Sequence, residues 1–228
     1  MNEKLSIIIP YRDRKNHLDE FIPYMNKFLK TNIQNEFNII VVEQANDNLF
    51  NRGSLINIGF DLEKNNCTYI APHDVDLLPE QSNYSKPINP THLAAYRSQK
   101  NYILEYDSFF GGVNLFLNDD FAKINGFSNI YAGYGAEDDD LRLRCDRILQ
   151  KSIDRRFGRY LSLDHGYNYT PENLRSNQIY YYNLVNNNNY NNCLVDGLSS
   201  INYKLIEKKE FKELNYMHYF VDFKNSIK

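Results

Sequence analysis

Four consecutive carboxylates at residues 137–140 form the densest group of reactive side chains in the sequence. They follow residues 131–136, in which Gly133 and Gly135 permit backbone turns that other residues resist. Carboxylates in the first turn of a helix are stabilised by its unpaired N–H groups and its dipole, so the run alone is equally consistent with an ordinary acidic helix start. An acidic helix start does not explain the flexible, tyrosine-containing segment at residues 131–136, which we call the lead-in loop. We therefore predict a functional site at this segment.

A second pair of carboxylates, Asp74 and Asp76, follows the apolar run at residues 69–71. If the extended backbone continues, both carboxylates point the same way and Val75 packs inward. Oxygen ligands at this spacing suit Mg²⁺ or Mn²⁺ shared with phosphate oxygens, although the triplet alone is a weak signal. Three arginines precede it, at Arg12, Arg14 and Arg52. Guanidinium groups match phosphate geometry, so the sequence indicates a diphosphate site. The alternative for Arg12 and Arg14 is a pair of solvated surface arginines. For Arg52 the alternatives are capping of neighbouring carbonyls or pairing with an acid.

The five histidines carry weaker signals. His165 is typical of a structural hydrogen-bonding residue unless the fold brings it to Asp76. His73, beside the acidic triplet, is predicted to support it. The others are predicted to be structural: His17, His92 and His218.

The apolar pattern in the first third of the chain predicts the order β-α-β-α-β. The predicted strands lie at residues 5–9, 37–42 and 69–71, and the predicted helices at residues 17–30 and 55–62. This order implies right-handed crossovers and a largely parallel sheet. Arg12 and Arg14 then lie just beyond the carboxyl end of the first strand, the edge at which open α/β sheets bind ligands. Residues 81–100 are polar and interrupted by prolines, and we assign them no firm structure.

The remaining chain carries a mixture of signals. A glycine pair leads into a strand at residues 109–117, and Asn118 is predicted to cap a short helix at residues 119–124, which ends in a left-handed turn at residues 125–127. A helix follows the acidic run to about residue 150, and residues 160–165 are predicted to be extended. Pro171–Asn186 is predicted to be helical, residues 186–192 a mobile loop, and Tyr216–Phe223 a closing strand.

Composition limits the class of protein. The 228 residues, 42% of them hydrophobic, favour one domain of moderate size, and the net charge of −3 argues against a nucleic-acid partner. Three widely spaced cysteines predict free thiols in a reducing compartment. No signal-peptide pattern and no apolar run long enough for a bilayer is found, so we expect a soluble, cytoplasmic protein without a membrane span. The Asn-, Ile-, Lys- and Tyr-rich composition suggests a microbial or viral source.

Several segments, taken in order, resemble the catalytic domain of the animal β-1,4-galactosyltransferase family. They are IIIPYRDRKNHL (7–18), FNRGSLINIGF (50–60), DVDLLP (74–79), FFGGVNLF (109–116), INGFSNIYAGYGAEDDD (124–140) and DGLSSINY (196–203). The resemblance implies the GT-A fold, an α/β nucleotide-diphospho-sugar transferase fold with a mostly parallel central sheet flanked by helices. It implies a single domain over residues 1–228, with nucleotide-sugar binding in about 1–118 and acceptor binding and catalysis in about 119–228.

The same resemblance implies an inverting transfer of galactose, or of a related hexose or N-acetylhexosamine, from a UDP-sugar to a hydroxyl of a glycan acceptor. The implied cofactor is Mn²⁺, with Mg²⁺ possible. Asp138 would be the general base, with Glu137 and Asp139 shaping the site, and Asp76 and His165 would bind the metal. The implied nucleotide-sugar-binding residues are Pro10, Tyr11, Arg12, Arg14, Phe50, Arg52, Asp74, Val75, Phe109, Gly112 and Tyr134.

Four positions depart from the family pattern. Ser162 stands where the family has a second metal ligand, so Asp164 or water would substitute. Tyr134 replaces a tryptophan that contacts both sugars, Ala136 replaces a glycine, and Phe109 replaces a tyrosine associated with galactose donors. Residues between 165 and 196 align poorly, and acceptor identity is expected to reside there.

Two other functions are compatible with the residues. A metal-dependent hydrolase of nucleotide diphosphates or nucleotide-sugars would use the same carboxylates on water. A catalytically silent glycan- or nucleotide-binding module is the third reading, and the intact Asp76 and Asp138 argue against it.

Overall fold

The computed structural model describes residues 3–164, 166, 170–188 and 190–225. Its centre is formed by the strands β1 (Lys4–Tyr11), β2 (Glu36–Gln44) and β3 (Tyr69–Pro72), which pair in parallel in the order β2-β1-β3. The helices α1 (Lys15–Asn32) and α2 (Arg52–Glu63) connect them. The predicted β-α-β-α-β order is confirmed.

The alternation of side chains in β1 explains why both faces of the sheet are covered. Leu5, Ile7 and Ile9 belong to the core cluster that contains the apolar face of α1, whereas Ile8 belongs to the cluster that contains α2. A methyl group added at Gly59 of α2 would lie 2.5 Å from Ile8 Cγ2, so this glycine lets α2 pack close to the sheet. Asn51 caps α2 by accepting the Ser54 N–H at 2.9 Å.

The sheet extends to eight strands. β7 (Asn114–Leu117) pairs antiparallel with β3, followed by β5 (Thr91–His92) and β8 (Asp154–Arg155). On the other side β11 (Tyr216–Phe223), predicted as a closing strand, pairs in parallel with β2, and β10 (Tyr203–Phe211) forms the edge. The order is β10-β11-β2-β1-β3-β7-β5-β8. The centre is therefore parallel as predicted, and antiparallel pairs occur toward both edges.

A three-stranded sheet lies beside the large one. It contains β4 (Leu77–Ser82), β9 (Gly158–Ser162) and β6 (Tyr96–Arg97), in the order β4-β9-β6. β9 confirms the extended prediction for residues 160–162. The sequence did not predict β4, β5, β6, β8 or β10.

The helices of the second half agree with the predictions apart from two details. α3 (Asn118–Lys123) includes Asn118, so the prediction that Asn118 caps it is wrong: its Nδ2 donates instead to the carbonyls of Lys64 and Cys67, at 2.9 and 2.8 Å. The left-handed turn after α3 is confirmed by positive φ at Asn125 and Gly126. α4 (Glu137–Arg144) continues into a π-helical turn at Cys145–Leu149, and α5 (Pro171–Asn186) has the predicted bounds.

The second detail concerns residues 186–192, predicted as a loop. α6 (Asn191–Val195) begins inside that range and buries Cys193. The three cysteines are free, as predicted, and all three are buried. Within the described ranges no helix is long and apolar enough to cross a membrane.

Candidate active site

The side chain of Arg52 joins two of the predicted acidic segments. Its Nε donates to Asp74 Oδ1 at 2.7 Å and its Nη1 to Asp138 Oδ1 at 2.9 Å. Nη2 lies 3.4 Å from the carbonyl oxygen of Gly112. The first turn of α2 therefore holds the turn after β3 and the first turn of α4 together. The structure therefore shows Arg52 paired with acids, which was one of the alternatives that the sequence left open.

Burial dominates the electrostatics of this group. It raises the pKa of Asp138 well above its ordinary value; Arg52 opposes this shift, and Glu137, Asp74 and Asp139 reinforce it. Burial likewise raises the pKa of Asp74, against the attraction of Arg52. Burial alone would lower the pKa of Arg52, but Asp138 and Asp74 outweigh it and leave the pKa above its ordinary value. The site thus concentrates negative charge around one fixed cation.

The carboxylates of the acidic run have different partners. Asp138 bonds Arg52, and Asp139 Oδ1 accepts the hydroxyl of Tyr106 at 3.3 Å. Asp140 is only 1% exposed and pairs with Arg144, while Tyr131 Oη donates to its Oδ2 at 3.0 Å. Burial raises the pKa of Glu137, against the attraction of Arg52. The run therefore begins α4 and also bonds Arg52 through Asp138, while Asp140 is buried in the core with Arg144.

The lead-in loop adopts the backbone turns predicted from its glycines. φ is +84° at Gly133, +95° at Gly135 and +74° at Ala136, the residue before α4. Gly133 N–H donates to the carbonyl oxygen of Phe50 at 2.7 Å. Tyr134 is 46% exposed. The loop therefore lies beside Phe50 and presents one aromatic side chain to solvent.

The glycine pair before β7 leaves space next to the base candidate. A methyl group added at Gly111 would lie 2.6 Å from Asp138 Oδ2. Gly112 has φ of +82°, and its carbonyl oxygen accepts the Asp74 N–H at 3.2 Å. Phe109 is 8% exposed; the Arg97 guanidinium lies over its ring at 4.5 Å, and the Tyr106 ring packs edge-on at 5.5 Å.

The carboxyl end of β1 supplies the residues predicted to bind the nucleotide. Pro10 and Tyr11 are buried. Arg12 Nη1 donates to the carbonyl oxygens of Asn46, at 3.3 Å, and Asn48, at 2.6 Å, and the guanidinium lies 5.6 Å from the centre of the Phe50 ring. Arg14 is half-buried at the start of α1. These residues share the sheet edge with Arg52, and their role in binding stays a prediction.

The Asp-Val-Asp triplet does not continue the strand. It forms a turn between β3 and β4, in which Leu77 N–H donates to the Asp74 carbonyl oxygen at 3.3 Å. The premise of strand alternation is therefore wrong, although Val75 is 4% exposed and packs in the core as predicted. The Asp74 side chain is 29% exposed and Asp76 is 9% exposed.

His73 supports this turn, as predicted. Its Nδ1 donates to the Asp74 carbonyl oxygen and its Nε2 accepts the hydroxyl of Tyr84, both at 2.8 Å. Burial lowers the pKa of His73 to about 4, so the ring is neutral at physiological pH. His92 is also structural: its Nε2 donates to the Gly111 carbonyl oxygen at 2.9 Å.

The structure shows which groups near Asp76 could bind the metal that the family resemblance implies. Leu163 N–H donates to the Asp76 carbonyl oxygen at 2.8 Å, which brings residues 162–164 beside the turn. Ser162 Oγ is buried, with no hydrogen-bond partner among the described residues. His165 lies outside the described residues, and no group of three His, Cys, Asp or Glu able to hold a metal occurs within them. The donors that are described are oxygens, which suit a hard ion such as Mn²⁺ or Mg²⁺ completed by phosphate oxygens or water.

Two residues of the site were missed by the sequence analysis. Tyr106 bonds Asp139 and packs on Phe109, but nothing in its neighbouring sequence distinguishes it from the other tyrosines. Gly111 leaves space beside Asp138. Its signal was available, because two adjacent glycines at a strand entrance indicate a close backbone approach.

Comparisons with known proteins identify the family that this chain resembles. A family model described as the N-terminal region of glycosyl transferase group 7 matches residues 1–85, and one described as the N-terminal domain of galactosyltransferase matches residues 91–166. Human β-1,4-galactosyltransferase 4 is 34% identical over 215 residues, covering 90% of this chain and 59% of that protein. Drosophila melanogaster β-1,4-galactosyltransferase 7 is 40% identical over 145 residues, covering 62% of this chain and 44% of that protein. The chain thus spans about half the length of the curated relatives it matches.

Solved structures match over nearly the whole chain. The catalytic domain of Drosophila β-1,4-galactosyltransferase 7 in complex with xylobiose superposes with a TM-score of 0.78 and 26% identity, covering 97% of this chain and 94% of that one. A mutant of the same enzyme, in complex with manganese, UDP-Gal and xylobiose, gives a TM-score of 0.75.

The fold and its site define the GT-A class, the α/β fold of nucleotide-sugar transferases. Within that class, the chain belongs to the β-1,4-galactosyltransferase family. The relatives named above are animal proteins, so the suggestion of a microbial or viral source is not borne out.

Proposed function

We propose that this chain is an inverting glycosyltransferase that moves galactose, or a related sugar, from a UDP-sugar to a hydroxyl group of a glycan acceptor. The observation that carries the proposal is the bridge from Asp138 through Arg52 to Asp74. It places one carboxylate at the start of α4 in a fixed position relative to the turn that carries Asp74 and Asp76. A base held beside a donor site is the arrangement that an inverting transfer requires.

Asp138 has the properties of a general base. Arg52 fixes Oδ1, while Oδ2 has no hydrogen bond among the described residues and lies beside the space at Gly111. The raised pKa makes its ionised form a stronger base than an ordinary aspartate. In the proposed step Asp138 takes the proton of the acceptor hydroxyl as its oxygen bonds to C1 of the donor sugar. The bond from C1 to the diphosphate oxygen breaks on the opposite face, and UDP leaves with the electron pair.

The donor site is proposed at the carboxyl edge of β1 and β3. Tyr11, Arg12 and Phe50 line the proposed nucleotide side, and Asp76 would hold Mn²⁺, or Mg²⁺, with oxygen donors from residues 162–164. His165 is proposed as a further ligand from the family resemblance alone. When bound, the cation supplies positive charge that stabilises the diphosphate as it leaves. The complex of the Drosophila relative with manganese and UDP-Gal supports this choice of cofactor and donor.

The acceptor side is proposed to begin at residue 119 and to include Tyr134, with nucleotide-sugar binding in residues 1–118. Phe109 retains the bulk of the family tyrosine without its hydroxyl, so UDP-galactose is the first donor to test. The complexes of the Drosophila relative with xylobiose make a xyloside the first acceptor to test.

The test is a transfer assay with UDP-galactose, Mn²⁺ and a panel of glycans that includes xylosides, with the product identified by mass spectrometry. A sugar added to one acceptor supports a transferase, whereas UDP release without a glycosylated product would establish the hydrolase. Asp138→Asn should lower the transfer rate by about 10²–10⁴-fold, the range for loss of a general base. Its affinity for UDP-galactose, measured by calorimetry, should stay unchanged. A variant that retains wild-type turnover would overturn the assignment of Asp138.

A further inference from the structure

The buried side chain of His92 bonds the glycine pair that precedes β7. The residue is 0% exposed, and its Nε2 donates to the carbonyl oxygen of Gly111 at 2.9 Å. Its Nδ1 accepts the Nε–H of Arg155 at 3.4 Å. Because a guanidinium can only donate, this second contact keeps the ring proton on Nε2. The three groups therefore form one chain of hydrogen bonds that ends at Gly111.

Arg155 bonds the same segment at two further carbonyl groups. Its Nη2 donates to the carbonyl oxygens of Asp107, at 2.9 Å, and of Phe109, at 3.0 Å. β5 and β8 pair in parallel, and His92 and Arg155 are partners in their register. Residues 107–111 are thus held at three carbonyl groups by side chains from two adjacent strands.

This arrangement places the ring of Phe109 beside the proposed base. The Arg97 guanidinium lies 4.5 Å from the ring centre, and the His92 ring packs edge-on at 5.2 Å. A methyl group added at Gly111 would lie 2.8 Å from Phe109 Cε2 and 2.6 Å from Asp138 Oδ2. The edge of the Phe109 ring and the carboxylate of Asp138 therefore border the same small space. We call this ring edge the wall.

We infer that His92 and Arg155 are positioning residues that restrict the donor to a sugar with a small substituent at C2, because they hold the wall in place. This inference rests on the proposed function. In the proposed transfer, the acceptor oxygen that Asp138 deprotonates bonds to C1 of the donor sugar, and C2 is the next ring carbon. A bulky group on C2 would meet a wall that is fixed through the backbone of its own residue, whereas a loosened wall would admit it.

The experiment compares Arg155→Lys with the matched control Arg156→Lys. Arg156 also donates to loop carbonyls, those of Ser85, at 2.6 Å, and Lys86, at 3.2 Å, which lie outside the proposed site. In both variants lysine keeps the charge and loses the guanidinium fork. The donors are UDP-galactose and UDP-N-acetylgalactosamine, with the acceptor on which the wild-type protein shows transfer.

The measured quantity is the kcat/KM for the N-acetylated donor divided by that for UDP-galactose. This ratio should rise about tenfold in Arg155→Lys, at the low end of the discrimination that a pocket achieves for one methylene group. It should keep its wild-type value in Arg156→Lys. An unchanged ratio in Arg155→Lys, or an equal rise in both variants, would overturn the inference.

Two variants of His92 separate its hydrogen bond from its packing. His92→Gln retains an N–H donor for Gly111, whereas His92→Leu does not. The ratio should rise in His92→Leu and stay near the wild-type value in His92→Gln. A lowered Tm with an unchanged ratio in His92→Leu would overturn the inference and leave His92 with a role in stability alone.

A cycle with Phe109→Leu shows whether Arg155 acts through the wall. Leucine is shorter than phenylalanine, so the ratio should rise in Phe109→Leu, and Arg155→Lys should then add no further rise. Independent effects of the two changes would overturn the inference. Absence of transfer by the wild-type protein would instead overturn the proposed function and the inference with it, so the two failures are distinguishable.

Discussion

Arg52 and Asp138 are 86 residues apart in the chain, and their side chains meet at 2.9 Å. Because the same guanidinium bonds Asp74 at 2.7 Å, one residue of α2 sets the distance between the proposed base and the proposed donor site. The activity should therefore be sensitive to the shape of this side chain as well as to its charge.

Replacing Arg52 with lysine tests that sensitivity. Lysine keeps the charge but has a single ammonium centre, which cannot fork onto two carboxylates as a guanidinium does. We expect kcat/KM to fall about 100-fold, the effect of displacing a reacting group by about 1 Å. Steady-state kinetics with UDP-galactose measure it. Arg175→Lys, at an exposed position of α5, is the control and should behave as the wild type. Equal activity in the two variants would contradict the bridging role.

The pH dependence of the transfer follows from the raised pKa of Asp138. A base works when ionised, so activity should fall as the pH drops through this raised pKa, earlier than for an ordinary aspartate. Glu137 is one of the charges that raise it. In Glu137→Gln the acid limb of the kcat/KM profile should therefore move to lower pH.

The direction of this displacement is the critical result. Glu172→Gln, exposed in the first turn of α5, provides the control and should leave the limb in place. A limb that moves to higher pH in Glu137→Gln would show that Asp138 is not the titrating base.

Replacing alanine with glycine should have opposite effects on stability at two positions, Ala136 and Ala122. The φ of +74° at Ala136 is unfavourable for alanine and unrestricted for glycine. Ala136→Gly should therefore stabilise the protein by about 1 kcal/mol, raising Tm by about 2–4 °C. Ala122→Gly, at an exposed helical position of α3, should have the opposite effect, lowering stability by about 0.5–1 kcal/mol. Thermal unfolding measures the Tm of both variants. A lowered Tm in Ala136→Gly would show that the backbone of Ala136 is not strained.

The buried pair of Asp140 and Arg144 should matter for stability. Arg144 is 1% exposed, and its Nη1 also donates to the Asp196 carbonyl oxygen at 2.7 Å. Arg144→Met leaves a buried carboxylate without its cation, which costs about 3–5 kcal/mol. We expect Tm to fall by about 6–20 °C, given about 2–4 °C for each kcal/mol in a domain of this size.

Combining Arg144→Met with Asp140→Asn identifies the cause. The double variant should recover part of the lost Tm, because the unpaired buried charge is then absent. A double variant no more stable than Arg144→Met would mean that the lost backbone contacts of Arg144 account for the whole effect.

The elements that the sequence predicted are those whose apolar pattern reflects burial. β1 and β2 are apolar because helices cover both faces of the sheet, and Pro171 after Thr170 marks the start of α5. β10 was missed because residues 204–211 are exposed on both faces and carry charged side chains without alternation. Strand patterns are visible only where one face is buried.

The sequence predicted which types of residue form the candidate site, but not which side chains bond one another there. Four adjacent carboxylates have the same chemistry in the sequence, and only the fold assigns Asp138 to Arg52 and Asp140 to Arg144. The same holds for His92 and Arg155, since neither residue type marks the carbonyl groups it will bond. Side-chain partners far apart in sequence depend on packing that local patterns do not encode.

The position of β11 constrains the order of events during synthesis. This strand is inserted between β2 and β10, yet it follows nearly all of the described chain. While the chain emerges from a ribosome, the outer edge of β2 carries unpaired N–H and C=O groups, and its apolar residues Ile39–Val42 lie next to that edge. The nascent protein therefore has an open, aggregation-prone sheet edge that closes only after residues 216–221 have been made.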